Sequence, residues 1–450
     1  MAKDGVRKIP RGRVTRMASL GNMAVGVSNN MALAAGRTLL GGGIDSAAEK
    51  FHQQTAKTFA QSLAGMKGLP MKVGQMVSYI DDAIPAGYRH IYTQALSELQ
   101  VRARPMRWSE IEAVFKKDLG AKPEDIFKKF EREPIAAASI GQVYRAELPD
   151  GRVVAVKVQY PGIDEAIRSD LKNLDLLRNA MAMVLPKVDL EQTLDDLTSR
   201  VLEECDYGCE LCNQQDFADA WEGTPGVVIP RPHTELCRDH ILVLDYVSGE
   251  SWEEMRARGN QEERNEIGRN LFAFLFRSLY VHGMFNADPH PGNYLFPGGA
   301  DVAYLDFGCV QRYPPAVLAD LKGVGSLVRE GGRGSELREA LARVWEIQDE
   351  VDEEEWAFLE EYAVAVYEPA IKDEPFTFNR AYTERLSDLS IKGGFLAARK
   401  ALRKGIREAK RPGMLYLNRI QFGLASVLAS IEAEANWHEV LGEILVEAQS

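Results

Sequence analysis

The chain has 450 residues, 45% of them hydrophobic and 27% charged. Those are globular proportions, so wholesale disorder and fibrous architectures are excluded, and the length can supply two or three lobes with their own cores. Asp and Glu (66) outnumber Lys and Arg (54), for a net charge of -12; a general nucleic-acid binder needs a basic field, so nucleic acid is not an expected partner. Five cysteines are too few, and odd in number, for a disulfide framework, which favours a reducing compartment. The start of the sequence does not read as a signal peptide, and no run of about 18 apolar residues suggests a membrane span. The expected location is therefore cytoplasmic, with any membrane contact peripheral.

In chain order, residues 1–16 carry six Lys/Arg against Asp4 alone, and a small-residue, glycine-rich stretch follows to residue 50. Such a lead suits either an anionic membrane surface or a loose tail. Residues 46–100 read as helices broken at Gly68-Leu69-Pro70, and residues 106–133 as a further helical pair with Ser109 as an N-cap. The period then shortens. Ala136–Glu147 and Val153–Gln159 have strand character around Pro149-Asp150-Gly151, a hairpin signal. Residues 163–220 return to helix, Val227–Ile229 and His240–Tyr246 read as short strands, and residues 251–450 are mainly helical. The acidic run Asp349–Glu355 and the basic run Arg399–Arg411 read as solvated helix faces, the latter a second candidate for anionic lipid.

Three patterns carry chemistry. Val154-Ala155-Val156-Lys157-Val158 sets a lysine within an apolar strand; it is either an edge lysine facing water or, as in protein kinases, the cation that meets the α/β-phosphates of ATP and pairs with a helix glutamate. Asn286-Ala287-Asp288-Pro289-His290-Pro291-Gly292-Asn293 places Asn293 five residues after Asp288. This is a Pro/Gly turn or the kinase loop whose aspartate orients a hydroxyl proton and whose asparagine holds a metal ion. Ala303-Tyr304-Leu305-Asp306-Phe307-Gly308 ends an apolar strand with a Mg²⁺-binding aspartate in the DFG pattern. Any one is weak; the three in this order and local setting indicate a nucleotide site. Leu244-Asp245-Tyr246-Val247 then reads as the hinge, with Asp245 and Val247 supplying backbone groups to adenine.

With these residues the sequence resembles the UbiB, or AarF-type, family of atypical kinases. The resemblance spans roughly residues 7–440 and rests on Lys72-Val73-Gly74-Gln75 (the KxGQ motif), the alanine-rich loop Ala136-Ala137-Ala138-Ser139-Ile140-Gly141-Gln142-Val143, Glu204-Cys205-Asp206 (the ExD motif) with Glu210 after it, and the loop 287–293. It implies an α+β, bilobal protein-kinase-like fold with a small β-rich N-lobe, a helical C-lobe and an N-terminal helical extension covering the active site. The implied divisions are a basic Gly/Ala-rich segment 1–50, a KxGQ-bearing extension 51–133, an N-lobe 134–247 and a C-lobe 248–450. It implies ATP and Mg²⁺ as cofactors, Lys157 paired with Glu210, Asp288 as catalytic aspartate, and Asn293 and Asp306 as metal ligands. Ala136, Ala137, Ala138 and Ser139 would lie at the phosphates, and Lys72 and Gln75 would lie on a regulatory helix packed over the active site, where Lys72 would meet Glu204 and Asp206.

The implied role is ATPase or small-molecule kinase activity in quinone or other isoprenoid-lipid metabolism. Its partners would be a lipid or quinone-precursor substrate, an anionic membrane surface and biosynthetic proteins. The alanine loop narrows the phosphate geometry that glycine would allow. Only residues 309–313 separate Gly308 from Pro314-Pro315, and no Ala-Pro-Glu motif follows, which argues against phosphorylation of proteins in trans. A trans-acting protein kinase and a nucleotide-dependent scaffold with little turnover are the alternatives. Cys205, Cys209 and Cys212 share a helical spacing that fits packing better than zinc. His290 reads as a shaper of its loop rather than a base.

Overall fold

A computed structural model gives the arrangement of residues 106–138, 140–171, 202, 203, 205–345, 347, 351–389, 392 and 414–448, with residues 53, 56, 57 and 91 singly. The chain forms two compact units, one of residues up to Tyr207 with Arg238–Leu242, the other of Gly208–Cys237 with Val243 onward. The proposed basic lead, the KxGQ helices and the basic run 399–411 lie outside the described residues, as do Lys72, Gln75, Ser139 and Glu204.

In the first unit, helices α1 (Trp108–Asp118) and α2 (Pro123–Ile126) precede strands β1 (Lys129–Phe130), β2 (Ala136–Ala137), β3 (Gly141–Glu147) and β4 (Val153–Gln159), then helix α3 (Ile163–Leu171). Ser109 is not the N-cap expected from sequence. The helix begins two residues earlier, because the Glu110 carboxylate reaches back to accept the Arg107 backbone N–H at 2.9 Å, making Arg107 the cap position. The hairpin forms where its turn chemistry placed it: Gly151 has φ 92°, Leu148 N–H donates to the Arg152 carbonyl at 2.8 Å, and Asp150 accepts from Arg152 N–H at 3.0 Å.

The sheet runs β1-β3-β4-β6, with β2 on the free part of β3 and β6 comprising Ile241–Asp245. Val154, Val156 and Val158 point to one face of β4 and are fully buried, while Ala155 and Lys157 alternate to the other. Phe115, Phe127, Phe130 and Tyr144 pack edge-on or tilted at centroid distances of 5.3–6.1 Å, fastening α1 and β1 to the sheet. Burial pushes the Tyr144 phenol up to about 12; its hydroxyl donates to Gln142 Oε1 at 2.7 Å, so neither buried polar group is wasted.

The second unit begins with helix α4 (Tyr207–Ala220, all but its first residue), β5 (Val227–Val228), the end of β6, and helices α5 (Trp252–Arg258) and α6 (Gln261–Tyr280). Next come β7 (Met284–Asn286), a 3₁₀ turn (Pro291–Asn293), β8 (Tyr294–Leu295), β9 (Val302–Tyr304) and β10 (Val310–Arg312). Helices α7 (Pro315–Arg329), α8 (Ser335–Trp345), α9 (Glu353–Tyr367), α10 (Met414–Ser430) and α11 (Trp437–Glu447) complete it, with two-residue strands β11 (Phe376–Thr377) and β12 (Glu434–Ala435).

Helix α6 is its centre. Leu271, Phe272, Phe274, Leu275, Phe276 and Leu279 are buried around most of its circumference, as expected of a helix enclosed by others. Phe274 stacks on Tyr304 at 3.6 Å and Phe272 meets Trp437 at 4.9 Å. The acidic run is not one helix face: Asp352 caps α9 by accepting from Glu355 N–H at 2.8 Å, and Glu353–Glu355 fill its first turn, where the helix dipole favours negative charge.

Gly268 marks the tightest approach to α6. A Cβ there would lie 2.5 Å from the Ala433 Cβ and within 3.6 Å of Leu428 and Trp437. Gly268→Ala is expected to destabilise this unit by about 1–3 kcal/mol despite the better helix propensity of alanine, measured as a lower denaturant midpoint at unchanged slope.

Candidate active site

Two short pairings build the site of the second unit. β7 and β10 run antiparallel with Asn286 opposite Val310, and β8 and β9 run antiparallel with Tyr294 opposite Tyr304. The first brings the start of loop 287–293 to the end of segment 305–309, where Ala287 N–H donates to the Cys309 carbonyl at 2.8 Å. The second brings the far end of the loop to the start of the segment, where Leu305 N–H donates to the Asn293 carbonyl at 3.0 Å. The sequence-predicted Asp288, Asn293 and Asp306 are thus gathered between two pinned ends.

Inside the loop every turn is closed by a named bond. His290 N–H donates to the Asp288 carbonyl at 2.8 Å, and Asn293 N–H to the His290 carbonyl at 2.9 Å. His290 Nδ1 accepts from Gly292 N–H at 3.0 Å, so the imidazole shapes the loop as expected. Asn293 Nδ2 donates to Asp288 Oδ2 at 3.1 Å and to its carbonyl at 3.2 Å. With its amide nitrogen so used, the atom Asn293 would offer a cation is Oδ1. Asp306 Oδ1 accepts from Gly308 N–H at 2.9 Å, which fixes the carboxylate over the glycine. The Asp306 carboxylate and the Asn293 amide oxygen are hard donors, which would fit Mg²⁺ rather than a thiophilic metal. The Tyr294 phenol, raised by burial and then by the charge of Asp288, stays a neutral neighbour of that aspartate.

Sequence reasoning quoted Asn286 without giving it a role. Its Oδ1 accepts from Asp288 N–H at 3.0 Å and its Nδ2 donates to the Asp306 carbonyl at 2.6 Å. One side chain therefore ties the catalytic loop to the DFG segment. The available signal was a polar residue ending the apolar strand Met284-Phe285, two positions before Asp288.

In the first unit, register supplies the geometry. Ala136 pairs with Val143, and Val143 pairs with Lys157, so the alanine loop and the lysine lie on one line across β3. The Lys157 ammonium sits 5.2 Å from the Tyr207 ring centroid, a cation–π contact. Ala138 N–H donates to the Gly141 carbonyl at 3.0 Å, closing a tight turn. Gly141 is the second residue sequence reasoning passed over: a Cβ there would run into the Val158 carbonyl oxygen and reach the Tyr207 hydroxyl at 3.0 Å.

Glu210, in the first turn of α4, is 2% exposed, whereas Asp206 is exposed in the turn before it. Asp245 ends β6. Its N–H donates to the Arg231 carbonyl at 2.9 Å and its carboxylate meets His233 Nε2 at 2.9 Å, so the group it could offer an adenine edge is its carbonyl oxygen. Val247 lies two residues beyond and is half-buried. Cys205 precedes α4 rather than sharing its face with Cys209 and Cys212; it is buried, with its thiol pushed up to about 11, while the other two are exposed.

Residues 98–324 match the ABC1 atypical kinase-like domain. The chain belongs to the ABC1 (UbiB/AarF) family of atypical kinases. It is 31% identical over 316 residues to the mitochondrial atypical kinase COQ8 of Saccharomyces cerevisiae, covering 68% of this chain and 60% of that protein. Against the mitochondrial atypical kinase COQ8B of Rattus norvegicus the identity is 31% over 313 residues, covering 68% and 58%. The match therefore takes in about three fifths of these relatives' length. A solved structure of Rv3197 from Mycobacterium tuberculosis, in complex with erythromycin, superposes with a TM-score of 0.60 at 27% identity, covering 89% of this chain and 97% of that one. The kinase-like α+β fold expected from the motifs is thus established.

Asn286→Ala is expected to lower ATP turnover by roughly 10–100-fold while leaving nucleotide affinity within about threefold, because it misplaces Asp288 against Asp306 without touching the adenine side. Steady-state kinetics beside direct nucleotide titration check it. Gly141→Ala is expected to weaken nucleotide binding and lower stability together, since the β3–β4 backbones must part to admit a methyl group; binding isotherms and thermal melts of the same preparation read both.

Proposed function

We propose that the chain binds ATP with Mg²⁺ and cleaves its γ-phosphoryl bond, acting on water or a small or lipid acceptor in support of quinone or other isoprenoid-lipid metabolism, and not on proteins in trans. The observation that carries this reading is the closed network joining Asp288, Asn293, Asn286 and Asp306. Phosphoryl transfer needs little covalent help from the protein and much positioning, and this network supplies positioning.

Asp288 would orient the attacking hydroxyl and take its proton as the oxygen–phosphorus bond forms and the bond to ADP breaks. Lys157 would hold the α/β-phosphates, with the buried Glu210 as its counter-charge. Adenine would meet the Asp245 carbonyl and the Val247 amide, and the alanine loop would close over the phosphates. Bound at Asn293 and Asp306, Mg²⁺ would neutralise phosphate charge.

Three features favour a small acceptor. β10 is followed within two residues by α7, leaving no extended segment on which to lay a peptide. Helix α10 also seats against the catalytic loop so closely that a Cβ at Gly423 would lie 2.7 Å from the Pro289 Cγ. The KxGQ helix of Lys72 and Gln75, with Lys72 meeting Glu204 and Asp206, is retained as the regulatory part of this reading. Membrane association would be peripheral: no helix among the described residues is long and apolar enough to cross a bilayer.

The test is nucleotide binding and ATP hydrolysis by the purified chain with Mg²⁺, with and without vesicles of anionic phospholipid. Turnover that rises with vesicles, and falls at least 100-fold in Asp288→Asn with binding retained, is the expected result. Lys72→Ala is expected to change the rate. Tight binding without turnover under every lipid condition would replace this reading with the scaffold, and rapid stoichiometric phosphorylation of a partner protein would replace it with a trans-acting kinase.

A further inference from the structure

Helix α4 touches segment 307–312 at three places that the proposed chemistry does not use. Asn213 lies three residues after Glu210, on the same side of the helix. It is 3% exposed. Its Nδ2 donates to the Phe307 carbonyl at 3.0 Å and lies 3.8 Å from Cys209 Sγ, and its Oδ1 accepts from Arg312 Nη1 at 2.7 Å. Arg312 Nη2 continues to Asp216 Oδ2 at 2.5 Å, returning to the same helix three residues on. Between these, the Phe217 ring packs on the Phe307 ring at a centroid distance of 4.5 Å. Phe307 follows Asp306, and Arg312 ends β10, so the helix grips both ends of the short segment that carries the metal-binding carboxylate.

We propose that Asn213, held in orientation by Arg312, is a positioning residue that locks the Asp306–Gly308 segment to helix α4 and so sets the site's affinity for Mg²⁺. Only a side chain that donates and accepts at once meets both contacts. Aspartate keeps the size and the bond to Arg312 but turns an oxygen toward the Phe307 carbonyl, and leucine meets neither. A buried carbonyl deprived of its donor moves or rehydrates, and here that movement displaces the residue next to Asp306. Because Glu210 stands on the same helix, the lock makes the placement of Glu210 and of Asp306 one event rather than two.

The contact stands on geometry alone; its effect on Mg²⁺ rests on the nucleotide-site reading. Two measurements keep these apart. Hydrogen exchange over residues 305–310 in the nucleotide-free protein reports the lock through the Gly308 amide, which donates to Asp306 Oδ1. Asn213→Asp is expected to speed that exchange at least tenfold without changing exchange in α6. It is also expected to raise the Mg²⁺ concentration for half-maximal turnover at least tenfold while shifting the Kd of metal-free ADP less than twofold. A space-filling role would move stability but not this split.

Arg312→Gln, at a side chain 47% exposed, is expected to do the same more weakly. It carries the test if the buried variant fails to fold, and the two changes combined are expected to be less than multiplicative. Unchanged exchange at 305–310 overturns the lock. Faster exchange with an unchanged Mg²⁺ midpoint overturns its role in metal affinity. If the unmodified protein binds no nucleotide, the functional reading falls, and the exchange result still decides the contact.

Discussion

The antiparallel pairing of β7 with β10 is the constraint on which the C-terminal unit's chemistry depends. Each strand has three residues, too short to hold together unaided. The pairing persists because it is anchored in the core: Met284 and Phe285 of β7 are buried, as is Cys309 just before β10, and the Phe285 ring stacks against Tyr313 at 5.6 Å. Its register sets Asn286 opposite Val310, which lets one amide side chain reach both the Asp288 N–H and the Asp306 carbonyl. A slip of one residue would turn Asn286 to the other face and sever the link. The β8–β9 pairing closes the far end, so the loop is held like a strap at both buckles as well as by its own turns.

That arrangement gathers carboxylates where apolar packing limits their retreat. Like charges brought close raise each other's energy unless a cation or donor intervenes. Here the Asn293 amide and the Gly308 N–H each donate to one of them. Neutral donors hold the two carboxylates in place without neutralising them, which would leave their charge for the divalent ion of the proposed function. The first unit is built by a different logic. Its sheet brings the alanine loop level with Lys157 by register, and the small side chains at Ala136 and Ala137 stay exposed. The first unit is thus ordered by cross-strand register and the second by side-chain amides.

Much of this was legible in the sequence because it is carried by local signals. The Pro149-Asp150-Gly151 turn, the alternation around Lys157 and the apolar run before Asp306 specify their structures within a few residues, and the structure has them. The misreadings have equally local causes. Ser109 is a good N-cap by type, but the Glu110 carboxylate is better placed to serve the N–H of Arg107, and the helix starts earlier. Cys205 falls on a helical spacing with Cys209 and Cys212, yet the helix begins only at Tyr207. What stayed hidden depends on contacts between distant residues. Asn213 and Arg312 are 99 positions apart, and nothing near either one marks it as half of a clamp. Gly141 is one glycine among 38 until the approach of Val158 shows why a methyl group has no room there.

The net charge of -12 poses a problem for any protein that takes up a polyphosphate. At physiological salt the screening length is about 8 Å, so the overall charge weakens capture at a distance but does not decide it within the site. Close in, the work would fall to the proposed phosphate-binding cation, Lys157, which is held over the face of Tyr207. An ammonium held over a ring keeps its charge while losing freedom, which favours a fixed phosphate position over a merely attractive field. On the proposed reading the remaining neutralisation would fall to the metal. The metal-complexed nucleotide would therefore bind more tightly than the free one, and the side chains that fix Asp306 and Asn293 would bear on affinity as well as turnover. In an acidic protein, positioning the metal ligands and attracting the substrate would then become the same task.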